Sequence, residues 1–366
     1  MFVVTNREVD DGEHSVKTFG EKLNAKGPNE LRLARATRVA GKWRIDVLPD
    51  RVTPAMASDA GMVIDPIGPP FSSEYVARVL IDRIRSPGSG RGKNLLFLVH
   101  GFNNDMSAVL DRASLLEKNY GVEVFAFSWP ANGGGARGVL DYKADKRDAR
   151  ASAGALDRVL GRMGELLDQE NRRQIESFKE KARAKYPGHE EKQNAFVVQM
   201  SERHCPLTVN MMLHSMGNYL YKHVFASSLS NSRRLVFDNV LLVAADVNNE
   251  DHASWVEQIP ARRRVYITIN EKDAALQASR LKMGDAQKAR LGHCRSGLVA
   301  KNAVYVDVTG AQHVEGSHAY FEGKAIENKK IRTFFRRAFN GEDADSNLIY
   351  DAATNLYRFT SARKAG

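Results

Sequence analysis

The run Leu213-His214-Ser215-Met216-Gly217-Asn218 decides how this chain is read. It ends an apolar stretch from Pro206 to Leu213 and opens a helical pattern near 216–229. Strand, tight turn and helix is the setting that lifts a serine hydroxyl out of the backbone, where a base can reach it. A hydroxyl is a weak nucleophile near neutral pH, so Ser215 needs both that exposure and that base. Gly217 lets the helix pack closely on the turn. The helix start aims the Met216 N–H at a developing oxyanion. Turns of this kind carry G-x-S-x-G. Here Leu213 stands where the first glycine belongs, and its side chain is expected to crowd the turn.

Upstream, Asn94–Val99 is a continuous apolar run, as a strand buried on both faces should be. His100-Gly101-Phe102-Asn103-Asn104 follows it directly. A loop at this place supplies a second oxyanion donor, so the N–H of Phe102 or Asn103 is the candidate, with His100 fixing the loop by hydrogen bonding. Downstream, strands are predicted at 239–244, 265–269 and 304–308. Asp273 follows the second and His318 the third, giving the chain order Ser, Asp, His. His318 would take the serine proton and return it to the leaving group, while Asp273 orients the imidazole. Asp246 is a competing acid and His313 a competing base. His214 and His223 sit too near Ser215 in sequence and are expected to point elsewhere.

Strands also fit Phe2–Thr5, 31–48 and 122–127. Helices fit 73–84, 106–118, 144–165, 251–258, 273–282 and 325–338. Strands alternating with helices imply an α/β fold with a mostly parallel central sheet flanked by helices. The turn-rich Ser86–Lys93 separates an N-terminal strand extension, 1–90, packed on the core, from the core itself, 91–345, with 346–366 as a C-terminal tail. Residues 166–203 are charged and helical in pattern, a surface insertion and candidate lid.

Composition removes other classes. Hydrophobic residues are 43% of 366, ample for a core, and no run approaches the ~18 apolar residues of a membrane span. The start, Met1–Asp10, lacks the basic and apolar regions of a secretory signal, so a cytoplasmic location is expected. The two cysteines, Cys205 and Cys294, sit in no CxxC or Cys/His cluster, which argues against a disulfide framework and against zinc. The net charge of +10 is scattered, with Arg262–Arg264 its tightest run. No nucleic-acid motif accompanies it, and an anionic lipid surface is the partner it would suit.

Several pieces lie in one order along the chain: Thr5-Asn6-Arg7, Leu98–Asn104, Phe127–Pro130, His214–Asn218, Ala245–Val247, Asn270–Asp273 with Ala275 and Leu276, and Ser317–Tyr320. In this the sequence resembles an uncharacterised bacterial group of esterase/lipase-like proteins in the α/β-hydrolase superfamily. The resemblance implies the α/β-hydrolase fold, a carboxylic-ester hydrolase and the triad Ser215, Asp273 and His318. It supplies no substrate beyond a small or medium acyl ester. Acyl transfer through an acyl-serine requires no metal or organic cofactor. His100, Ser128 and Trp129 are expected to line the substrate pocket.

Overall fold

A computed structural model describes residues 1–65, 67–85, 94–131, 142–203, 207–226, 234–280 and 288–359. The expected linker Ser86–Lys93 and Cys205 lie outside the described residues.

The described strands are β1 Phe2–Thr5, β2 Arg7–Val9, β3 Phe19–Leu23, β4 Arg32–Val39, β5 Lys42–Val47, β6 Asn94–Val99, β7 Glu123–Ser128, β8 Thr208–His214, β9 Phe237–Val243, β10 Ala261–Ile269, β11 Ala303–Asp307, β12 Ile349–Asp351 and β13 Leu356–Arg358. Eleven of them form one sheet in the order β12-β13-β11-β10-β9-β8-β6-β7-β1-β4-β5, while β2 and β3 form a separate hairpin. Pairing is parallel from β1 through to β13, and antiparallel for β1–β4, β4–β5 and β12–β13. The central strands β6, β8 and β9 are almost wholly buried, as their apolar stretches Leu95–Val99, Met211–Leu213 and Val240–Val243 require.

Helices cover both faces. They are α1 Pro54–Asp59, α2 Ser72–Arg85, α3 Met106–Tyr120, α4 Tyr142–Ala151, α5 Ala153–Lys185, α6 Glu190–Arg203, α7 Met216–Val224, α8 Ala253–Val256, α9 Ala274–Arg280 and α10 Lys329–Phe339. On one face, α2, α5 and α7 bury Leu80, Leu156, Leu160 and Leu220 against Phe97, Met211 and Leu242. On the other, α3 and α10 bury Leu110, Leu116, Phe334 and Phe335 against Leu96, Leu98 and Leu241. Helix α10 shows why: Ile331, Phe334, Phe335, Ala338 and Phe339 fall on one stripe at helical spacing. Helix α3 begins at Asp105, whose carboxylate accepts from Ala108 N, and ends at left-handed Gly121.

Three sequence-based boundaries move. Strand β1 lies inside the sheet between β7 and β4, so the first 90 residues contribute to the main sheet as well as packing on it. The segment set aside as a C-terminal tail supplies β12 and β13 to the sheet edge. The expected insertion does not start at 166. Helix α5 is continuous for 33 residues, from buried Leu156 and Leu160 outward, because no proline interrupts it before Pro187 and its three glycines, Gly154, Gly161 and Gly164, do not end it. Helix α6 then packs back along α5, with Tyr186 and Phe196 edge to face at 6.0 Å. No described helix is long and apolar enough to cross a membrane.

The chain leaves β6 to one side for β7 and to the other for β8. This is a topological switch point, and open α/β sheets bind ligands beyond the C-terminal ends of the strands there.

Candidate active site

Ser215 occupies that point, between the end of β8 and the start of α7. Its backbone is at φ 53° and ψ −119°, a conformation side chains rarely adopt and one that marks a sharply turned elbow. The surroundings hold it there. Ser215 N–H donates to Val243 O at 3.0 Å, and Ser215 O accepts from Asp246 N and Asn218 N. The Asn218 amide also reaches Leu213 O and Ser215 O, each at 3.0 Å. Two glycines allow the close approach. A Cβ on Gly217 would meet the carbonyl oxygens of Val99 and His100 at 2.8 Å, and one on Gly101 would lie 2.7 Å from Ser215 Cβ. Leu213 does not crowd the turn as expected. Its side chain is fully buried in the apolar core, on a strand registered against Val99 and Leu242.

His318 and Asp273 meet as the sequence order implies. Nδ1 of His318 lies 2.8 Å from Oδ2 of fully buried Asp273. The other oxygen, Oδ1, accepts from Ala275 N and Leu276 N at 3.0 Å, so one carboxylate both caps α9 and orients the imidazole. Buried Asn270 fixes the histidine loop, donating to Glu315 O and Ser317 O at 3.0 Å. His318 sits beside the elbow through His214, whose ring centroid is 4.9 Å from its own and whose Nε2 lies 3.2 Å from His318 O. Among the described residues no hydrogen bond joins Ser215 Oγ to His318, and catalytic bonds are often long before substrate binds.

The competing residues make other contacts. Asp246 is committed to a buried ion pair with Arg290 at 3.2 Å and accepts from Tyr142 and Ser279. His313 has no carboxylate partner among the described residues and sits at φ 69°. His223 packs on Tyr219 and is pushed down to about 4, chiefly by burial. His214 corrects an expectation: instead of pointing away it lies against His318 and Phe321. Burial, and next the neighbouring His318, hold it well below the usual imidazole range. Cys294 is a free thiol beside Ser296, and no described group of His, Cys, Asp and Glu has the makings of a metal site.

The loop after β6, the candidate second oxyanion donor, rests on a buried polar scaffold. The Trp129 N–H donates to His100 Nε2 at 3.1 Å, which leaves Nδ1 to carry the proton and donate to Gly101 O at 2.8 Å. Trp129 stacks on His100 with 2° between the planes, and its Nε1 donates to His100 O. Burial, then the Arg7 charge, push His100 down to about 3, so it is held neutral. His100, Ser128 and Trp129 are all fully buried. They support the loop from behind and do not line a pocket, contrary to the sequence expectation, because their polar atoms are spent on one another and on Thr5, Arg7 and Gly101. Asn103, at φ 57°, donates its N–H to Asp145 at 3.4 Å.

Sequence reasoning missed Arg7 and Asn104 as supports. Fully buried Arg7 donates to Ser128 Oγ, Gly20 O and Asn104 O, and burial lowers it to about 10. The Asn104 side chain then donates to Gly101 O and Phe102 O. Their one signal was membership of the ordered motif pieces.

A family model described as "Alpha/beta hydrolase of unknown function (DUF900)" matches residues 78–176 and 179–333, more than two thirds of the chain. No curated protein and no solved structure matches it.

Proposed function

We propose that this chain, which belongs to the family of alpha/beta hydrolases of unknown function, is a serine hydrolase that cleaves carboxylic esters through an acyl-serine. The observation that carries the reading is the 2.8 Å contact of His318 with buried Asp273, set beside a serine in a strained elbow. In this reading His318 takes the Ser215 proton as Oγ attacks the ester carbonyl. The oxyanion accepts from the N–H groups of Met216 and of Phe102 or Asn103. His318 then protonates the leaving alcohol, and water attacks the acyl-serine by the same route in reverse. The same groups serve thioesters and amides, so the leaving group is a matter of pocket shape. A second reading is a catalytically silent scaffold that keeps the fold, for which a turn crowded by Leu213 would be the support; Leu213 is instead fully buried in the core, which weighs against it. Assay with a series of p-nitrophenyl esters of short to medium acyl length tests the reading. Turnover that disappears in Ser215→Ala supports it, and a folded wild type inert to the whole series counts against it.

A further inference from the structure

A second, separate feature lies on the face of the sheet covered by α2 and α5. There the helices stand off the strands and leave a cavity of about 560 Å³. Its walls are mostly aliphatic and aromatic, with Val76 and Leu80 from α2, Val159 and Met163 from α5, and Leu95 and Phe125 from the sheet, while Asp50, Glu165 and two arginines contribute its charged part. Phe125 and Leu95 each keep 7% accessibility, while Phe97 and Phe127 in the same two strands have none. The void therefore reaches into the middle of the sheet. A partly open, mostly apolar pocket of this size is the kind of concave site that takes a small-molecule ligand.

Its shape narrows the occupant. Five adjacent strands contribute to the wall: Leu33 of β4, Val4 of β1, Phe125 of β7, Leu95 of β6 and Val209 of β8. At about 4.8 Å per strand, the slot runs roughly 19 Å across the sheet. A slot that is long, narrow and apolar suits one extended hydrocarbon chain better than a compact ring system. Arg158 and Arg162 stand at its border beside the exposed Phe71. Arg162 is engaged by Glu74 and Glu165, whereas Arg158 donates to the Asn29 carbonyl and has no carboxylate partner among the described residues. We propose that this cavity binds a single long acyl chain with its carboxyl or ester end at Arg158. It is distinct from the Ser215 site: Val209 and Leu95 lie toward the N-terminal ends of their strands, and the six residues from Val209 to Ser215 span roughly 20 Å.

The test uses the full chain, stripped of lipid and titrated with cis-parinaric acid, a naturally fluorescent long-chain fatty acid. The expected result is saturable one-to-one binding, unchanged in Ser215→Ala and weakened about tenfold or more in Ala77→Trp and Val159→Trp, which fill the slot. Competition by palmitate identifies a free fatty acid as the natural form, and competition by a lysophospholipid identifies a lipid acyl chain. Should the filling variants not fold, a diazirine-bearing fatty acid on the wild type decides the matter, with crosslinks expected in 72–85 or 158–167. No saturable binding, binding lost in Ser215→Ala, competition by neither lipid, or crosslinks confined to residues that do not line the cavity would each overturn the proposal.

Discussion

Nδ1 of His318 lies 2.8 Å from Oδ2 of Asp273, while Oδ1 of the same carboxylate caps helix α9. The two duties separate by mutation. Asn retains a capping oxygen but cannot hold the imidazole as an anion does. Asp273→Asn is expected to keep the melting temperature within a few degrees and to lower kcat by on the order of 10⁴. Asp273→Ala should add the loss of a cap, about 1 kcal/mol, measured by denaturant unfolding.

Asp246 is the contrasting carboxylate. Paired with Arg290, which is 1% exposed, and bonded to Tyr142 and Ser279, it holds the floor of the site together. Removing one charge of a buried pair typically costs about 3–5 kcal/mol. Asp246→Asn should therefore unfold at clearly lower urea concentration, while the folded fraction keeps most of its esterase activity. Activity lost as fully as in Asp273→Asn, with stability intact, would make Asp246 the catalytic acid instead.

The buried imidazole of His100 makes stability depend on pH. It is held near 3 against 6.5 when free, so the unfolded chain binds a proton that the native state refuses. Stability is then complete above about pH 6.5 and falls as the pH drops toward about 3, by about 2 kcal/mol between 6.5 and 5 from this group alone. Unfolding measured across that range should show a shallower dependence in His100→Asn than in wild type.

Two glycines set the elbow. A Cβ at Gly217 would press on two backbone carbonyls at 2.8 Å, which cannot swing aside as a side chain can. Gly217→Ala is expected to cost roughly 1–3 kcal/mol and to reduce activity beyond that loss of folded protein. The opposite substitution, Leu213→Ala, restores a small residue to the motif but empties a core site. It should destabilise by about 2–5 kcal/mol without raising kcat.

The net charge of +10 suits association with anionic lipid, which would bring a surface-borne ester within reach. Binding to phosphatidylglycerol vesicles should be measurable at low ionic strength and vanish at about 1 M salt, where the screening length is about 3 Å. Binding that survives such salt would contradict an electrostatic origin.

The central strands were legible because a strand buried on both faces must be apolar throughout, as Leu95–Val99 and Val240–Val243 are. Strand β12 was not, since its burial is partial and its three residues end in an aspartate. The change at 166 from amphipathic to charged sequence reflects α5 leaving the core, and composition alone cannot tell that from a new element. In the site, chain order pointed to Asp273 and His318 as a pair, and the two stand 2.8 Å apart. It failed for His214, because strand alternation places that ring opposite Leu213 but cannot show which loop folds over it. It failed also for His100, Ser128 and Trp129, whose polar atoms are satisfied by partners distant in sequence, such as Arg7 bonding Ser128.

The most direct test of the central claim is labelling by a fluorophosphonate probe, which reacts with an activated serine. Wild type should label at Ser215, and labelling should vanish in Ser215→Ala and in His318→Ala while both variants remain folded. Folded wild type that does not label, or labelling that persists in His318→Ala at the wild-type rate, would contradict it.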